Sequence, residues 1–170
     1  MTTTSHKIQT RERQDLLQTL DRHREFLRFT TRDLGDEQAA RRTTVSALTL
    51  GGIVKHVAAT EFGWMSFVLD GARGMASSVG DYENQFNVLA GETLEGLLQQ
   101  YADVARRTTE IVNELADLDA GHPLPEAPWF EKGASWSARR VLLHVIAETA
   151  QHAGHADIIR ESLDGAKTMG

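Results

Sequence analysis

Apolar residues recur at alternating steps of three and four along four long segments of this chain, which predicts four amphipathic helices. The predicted helices cover about residues 10–33, 49–70, 92–118 and 137–163. The third segment shows the pattern most clearly, with Leu94, Leu97, Tyr101, Val104, Thr108, Ile111 and Leu115 on one face. No apolar–polar alternation of period two exceeds four residues, so strands are not predicted. The pattern therefore predicts an all-α protein built as a single-domain four-helix bundle over residues 1–170.

The second predicted helix is apolar on most of its sides. Thr49 is a suitable N-cap and Gly71 a suitable C-terminal stop. A helix that is apolar nearly all round either lies centrally or also meets a partner chain. We therefore expect a central position for this helix and a homodimer for the protein.

Two longer connections separate the predicted helices, at about 72–91 and 119–136. The second contains all three prolines of the chain, together with Trp129 and Phe130. A long loop that carries aromatic residues is typically functional or packed against the domain. Trp129 is therefore predicted to cover a pocket.

Composition excludes several classes of function. The net charge is −6 and no basic run is long enough to follow a phosphate backbone, which argues against nucleic-acid binding. The absence of cysteine excludes disulfides, a cysteine nucleophile and thiolate metal ligands. The N-terminus lacks an apolar signal core, and no stretch of 18 apolar residues occurs, so we expect a soluble, cytoplasmic protein.

Candidate chemistry is concentrated on the last predicted helix. His144, Glu148 and His152 follow one another at steps of four, and His155 lies three residues further on. Residues four apart are neighbours on one helix face, and imidazole and carboxylate groups at that spacing can bind one metal ion. A carboxylate that faces a bundle interior costs several kcal/mol unless a cation or a metal ion accompanies it.

A further ligand is expected from another helix, and His56 on the most apolar one is the best candidate. The ligand set on the last helix stays open between Glu148/His152/His155 and His144/Glu148/His152. Three N and O donors leave one position open for water or substrate, as in catalytic zinc sites. The alternative is that these histidines are hydrogen-bonded core residues. The remaining histidines are expected on the surface or in loops, since none has other candidate ligands at a metal-binding spacing: His6, His23 and His122.

Two arginines, Arg139 and Arg140, follow the predicted N-cap of the last helix. Cations are unfavourable at a helix N-terminus, and an anion-binding role would explain them.

Two stretches resemble the DinB superfamily of metal-binding four-helix bundles: T-L-G-G-I-V-K-H-V-A-A-T-E at 49–61 and S-W-S-A-R-R-V-L-L-H-V-I-A-E-T-A-Q-H-A-G-H-A-D-I at 135–158. The resemblance covers essentially the whole chain. It implies a divalent metal, zinc or nickel, held by one histidine of the second helix and two residues four apart on the last. The mycothiol-dependent maleylpyruvate isomerase relatives use Glu and then His at the latter positions, so the implied ligands are His56, Glu148 and His152. His144 would then be a neighbour, and His155, where many members carry Gln, would face the substrate.

The resemblance also implies an activity. Several relatives are S-transferases or isomerases that use a low-molecular-weight thiol, namely mycothiol, bacillithiol or glutathione. The implied function is a metal-dependent S-transferase that conjugates mycothiol to an electrophilic small molecule, with His155 as general acid or base. Two alternatives are a metal-dependent hydrolase and a metal-binding or dimerising bundle without turnover. DNA binding is not implied.

Overall fold

The computed structural model describes residues 10–78 and 84–168 of the chain. Four long helices are present, as predicted, together with one short helix and two short strands. Their order is α1 (Arg11–Thr30), α2 (Asp36–Ala39), α3 (Leu50–Ser78), α4 (Leu94–Glu114), β1 (Gly121–Pro123), β2 (Ser135–Ser137) and α5 (Ala138–Asp164). The predicted all-α four-helix class is confirmed. No helix in the described ranges is both long enough and apolar enough to cross a bilayer.

Side chains cap all four long helices where the sequence changes from loop to helix. Thr10, Thr49, Thr93 and Ser137 each accept a hydrogen bond from the backbone N–H three residues further on. Thr49 therefore caps α3 as predicted. Gly165 ends α5 in the left-handed conformation, with φ 80°.

The predicted stop of the second long helix at Gly71 coincides with a break in α3. The backbone leaves the helical conformation at Asp70 and Gly71, where φ of Gly71 is 61°, and a further helical segment then follows to Ser78. His122 explains the break, since its Nε2 lies 3.2 Å from the carbonyl oxygen of Val68, a carbonyl that an unbroken helix would use itself.

A two-stranded antiparallel hairpin joins α4 to α5, although no strand was predicted. Gly121 pairs with Ser137, His122 with Trp136 and Pro123 with Ser135. Three residues per strand are too few to show a period of two in the sequence, which is why the pattern did not reveal them. The hairpin places Trp136 directly before α5, beside the end of the bundle where that helix begins.

Ion pairs and hydrogen bonds show how the helices run. Arg139 at the start of α5 pairs with Glu12 at the start of α1, while Arg160 near its end donates to the Thr30 carbonyl at the end of α1. These two helices are therefore parallel. On α3, His56 contacts His152 of α5, and the later Trp64 contacts the earlier His144, so α3 runs antiparallel to α5.

Buried residues form two hydrophobic clusters, one towards each end of the bundle. The first surrounds Trp64, Phe67 and Leu142, and the second surrounds Leu27, Ile53, Tyr101 and Ala156. Between them each long helix contributes buried polar side chains: Arg24, Glu61, Thr108, Thr149 and His152. The bundle core thus contains a polar layer at mid-height.

The outer face of α3 carries two exposed apolar side chains, Phe62 and Leu69. They agree with the apolar pattern from which a homodimer was predicted. The homodimer and the cytoplasmic location both stay predictions.

Candidate metal centre

Three predicted ligand residues converge at the polar layer between α3 and α5. The ligand atoms of His56, Glu148 and His152 all lie within 4.8 Å of one another. His56 comes from the second turn of α3, and the other two come from successive turns of α5. His152 is buried, and the other two residues are half-buried. One ion could therefore contact all three side chains with small adjustments.

The ring of His56 is oriented by groups around it. Its Nδ1–H donates to Oε1 of Gln85 over 3.0 Å, because a carbonyl oxygen can only accept. This bond fixes the tautomer and makes Nε2 the acceptor, to which the Thr60 hydroxyl donates a long hydrogen bond of 3.4 Å. Phe86 stacks on the ring with the centroids 4.0 Å apart. Gln85 and Phe86 together hold the imidazole in one orientation.

Neither ring nitrogen of His152 makes a good hydrogen bond, as is expected of a histidine that binds a metal. Its Nδ1 is buried without a hydrogen-bond partner among the described residues, and its Nε2 lies 3.7 Å from a Glu148 oxygen, too far for a good hydrogen bond. Burial, followed by the nearby imidazoles of His56 and His155, lowers the pKa of His152 to about 4. Burial also lowers the pKa of His56, against the opposing effect of the Gln85 hydrogen bond. Both rings are therefore neutral at pH 7, which is the form that binds a metal.

Glu148 has no lysine or arginine partner within the described ranges. The nearest nitrogens are those of histidines, with His144 Nε2 at 4.0 Å and His152 Nε2 at 3.7 Å. Because these imidazoles are close but not hydrogen-bonded, the half-buried carboxylate remains without a compensating cation. Two neutral imidazoles and one carboxylate form a donor set that suits Zn²⁺ and related divalent ions. The residues present therefore fit a metal.

The other histidines of the predicted run lie outside this triad. His155 packs edge-on against His152 at 5.4 Å between ring centroids, and its Nδ1 is buried without a partner in the described chain. His144 turns towards Trp64 and Trp136. Among the described residues only His56, Glu148 and His152 form a group close enough to share an ion. The side chains of the two ligand sets confined to the last helix, His144/Glu148/His152 and Glu148/His152/His155, are therefore not close enough to share one ion.

Two further histidines of the chain, His23 and His6, are not part of the triad. His23 lies on α1 near Phe26, away from the triad. His6 lies outside the described residues.

Sequence reasoning did not find Gln85 and Phe86. Both lie in the connection between α3 and α4, where no periodic pattern indicates which side chain turns inward. The only available signal was the length of that connection.

The fold and the triad together define a DinB-like four-helix bundle with a candidate metal centre. The family model for mycothiol S-transferase matches residues 15–165, and the chain belongs to this family. A conserved protein of Enterococcus faecalis, known from its crystal structure, has the same fold with a TM-score of 0.68. It is 16% identical, and the alignment covers 95% of this chain and 100% of that protein. No curated protein matches the chain.

Proposed function

We propose that this protein is a metal-dependent S-transferase that conjugates mycothiol to an electrophilic small molecule. The observation that carries the proposal is the convergence of His56, Glu148 and His152 in a chain of the mycothiol S-transferase family. The chain has no cysteine, so any thiol that reacts in this site must come from a ligand.

In this proposal His56, Glu148 and His152 hold a divalent ion, zinc in the first instance and nickel as the alternative. When bound, such an ion supplies Lewis acidity, which lowers the pKa of a thiol ligand and makes its sulfur nucleophilic near neutral pH. Three protein donors leave a position open for that thiol. Phe86 covers one side of the triad and keeps water from His56.

His155 is the residue that we assign to proton transfer. It lies one turn beyond His152, and its Nδ1 has no hydrogen-bond partner in the described part of the chain. An imidazole can accept the thiol proton and can later protonate a product. His155 would thus hold the proton at Nδ1, which makes no hydrogen bond to any other described group.

The direct test is conjugation of mycothiol to monochlorobimane by the purified protein loaded with zinc. We expect a fluorescent thioether that forms only with enzyme, metal and thiol together. Chelator treatment should abolish the rate, and added zinc should restore it. Bimane consumption without thiol would instead indicate a hydrolase, and no turnover with the metal retained would indicate a binding protein.

Gln85 offers a second prediction, which concerns metal affinity. Replacing Gln85 by alanine removes the acceptor that fixes the His56 tautomer, so we expect the Kd for Zn²⁺ to rise about 10- to 100-fold. Competition against a chromophoric zinc chelator measures this. Gln99→Ala, on the exposed face of α4, is the matched control and should leave the Kd unchanged. Equal affinities of the Gln85→Ala variant and the parent protein would show that Gln85 does not position the ligand.

A further inference from the structure

A row of rings extends from the triad towards the start of α5. His144, whose Nε2 lies 4.0 Å from Glu148, is edge-on to both Trp136 and Trp64, at 5.2 and 4.9 Å between centroids. The two indoles stack on each other at 4.9 Å with an interplanar angle of 15°. Trp64 is buried, whereas Trp136 and His144 are half-buried. Trp136 and His144 therefore form an aromatic wall beside the triad, with Trp64 behind it.

An unpaired cation lies at the far end of this aromatic wall. The guanidinium carbon of Arg140 is 4.2 Å from the centroid of the Trp136 ring. Arg140 has no carboxylate partner among the described residues, whereas its neighbour Arg139 is paired with Glu12 and Asp119. The first turn of a helix is an unfavourable place for a cation. Arg140 is thus an available positive charge that the fold does not use for an internal ion pair.

We propose that the aromatic wall and Arg140 form the subsite for the electrophile, and that this electrophile is planar with an anionic group remote from its reacting carbon. The inference rests on the proposed function. Because Trp64 stacks on Trp136 and Arg140 lies over the same ring, a planar ligand would contact the edges of Trp136 and His144, and edge-to-face contact between aromatic rings is favourable. A guanidinium binds a carboxylate through two parallel hydrogen bonds. Mycothiol itself carries no carboxylate, so the anion belongs to the other substrate.

Spacing along the helix agrees with this placement. Arg140 precedes Glu148 by eight residues, or about 12 Å along the helix axis. An aryl ring with its carboxylate para to the reacting carbon can span much of this distance, and the long arginine side chain can cover the rest. The ring would then lie against Trp136 and His144, while its reacting carbon points to the triad.

The reaction tested is substitution on 4-chloro-3,5-dinitrobenzoate. A carbon–sulfur bond to mycothiol forms, the carbon–chlorine bond breaks, chloride leaves with the bonding electron pair, and the thiol proton passes to a base. The methyl ester of the same compound has the same ring and leaving group without the negative charge. The ratio of kcat/KM for the acid to kcat/KM for the ester therefore measures recognition of the carboxylate.

The variant is Arg140→Met, which keeps an unbranched apolar stem and removes the charge and the hydrogen-bond donors. We expect it to lower the acid-to-ester ratio by about tenfold or more, the loss typical of one charge-assisted hydrogen bond. Arg22→Met is the matched control, because Arg22 also lies over an aromatic ring, 4.5 Å from the Phe26 centroid, but on α1. It should keep the ratio of the parent. An unchanged ratio in Arg140→Met would overturn the proposal.

A binding measurement separates this subsite from the proposed activity. Unreactive 3,5-dinitrobenzoate and its methyl ester are titrated calorimetrically into the zinc-loaded full-length protein without any thiol. If the parent protein binds the acid more tightly than the ester and Arg140→Met does not, the subsite is supported. This result would hold even if no substrate turns over, and then only the proposed function would fail. Equal binding of acid and ester to the parent protein contradicts the subsite whatever the activity.

Discussion

Purified protein with His152 replaced by alanine is expected to lose nearly all of its bound metal and its S-transferase activity. In the proposed site His152 would supply one of three protein ligands, and its buried Nδ1 has no hydrogen-bond partner in the described chain. Because a catalytic metal contributes several kcal/mol of transition-state stabilisation, activity should fall about 100-fold or more. Metal content by inductively coupled plasma mass spectrometry and the bimane assay measure the two effects.

Two further variants make this result specific. Glu148→Gln keeps the shape of the side chain but removes its charge, and it should also lose metal. His23→Ala removes a histidine of α1 outside the triad and should retain the metal content of the parent. The assignment of the site would be wrong if His152→Ala bound metal as the parent does.

Helical spacing was enough to predict which turns of α5 carry the candidate ligands. Residues at steps of four share one face, so Glu148 and His152 had to lie together. The same spacing could not decide how the side chains of His144 and His155 turn, because helical periodicity gives the face of a residue but not its rotamer or its neighbours. Packing decides it: His144 rests edge-on against Trp64 and Trp136, and these come from α3 and the hairpin.

His56 was harder to place from the sequence. On a helical wheel it falls away from the centre of the apolar stripe of α3. Its place on the most apolar helix made it the best candidate, and the resemblance to the DinB superfamily strengthened that assignment. The structure gives the physical reason for its position. The site lies at the boundary between α3 and α5, so its ligand has to lie at the edge of the stripe and not at the centre.

Other features depend on contacts between segments distant in sequence. The break in α3 follows from His122, 51 residues after Gly71 in the chain, and a Cβ on Gly71 would lie only 3.2 Å from that imidazole. Gln85 and Phe86 reach the triad from a connection without periodicity. No local sequence pattern in α3 or in that connection indicates either the break in the helix or which side chains reach the triad.

The polar layer was likewise not predicted. It explains how the rotation of α3 about its own axis is fixed relative to the other helices. Arg24 of α1 donates to both carboxylate oxygens of Glu61 on α3, and the hydroxyl of Thr108 on α4 donates to one of them. The side chain of Glu61 is completely buried. Because Glu61 lies five residues after His56, a helix held at this point also presents His56 to α5. The ion pair therefore links the fold of three helices to the geometry of the candidate metal centre.

Replacing Glu61 by alanine is expected to be the most destabilising change outside the triad. It leaves the Arg24 guanidinium buried, with only the partly exposed Asp21 as a charged partner. Removing one member of a buried ion pair typically costs about 3–5 kcal/mol of the free energy of unfolding, a large part of the total for a domain of this size. Urea denaturation of the metal-free protein measures the loss. Arg106→Ala, in an exposed ion-pair cluster on α4, is the control and should leave the midpoint unchanged.

The double variant Arg24→Met with Glu61→Met tests whether the cost arises from the uncompensated charge. Unbranched apolar side chains remove both charges together, so the double variant should be more stable than Glu61→Ala. If the polar layer also positions His56, the double variant should fold but bind zinc more weakly than the parent, since the orientation of α3 is no longer set by a directional contact. A double variant as unstable as Glu61→Ala would show that packing, and not charge, determines the effect. An unchanged zinc affinity of the double variant would show that the polar layer does not position the ligands of the metal centre.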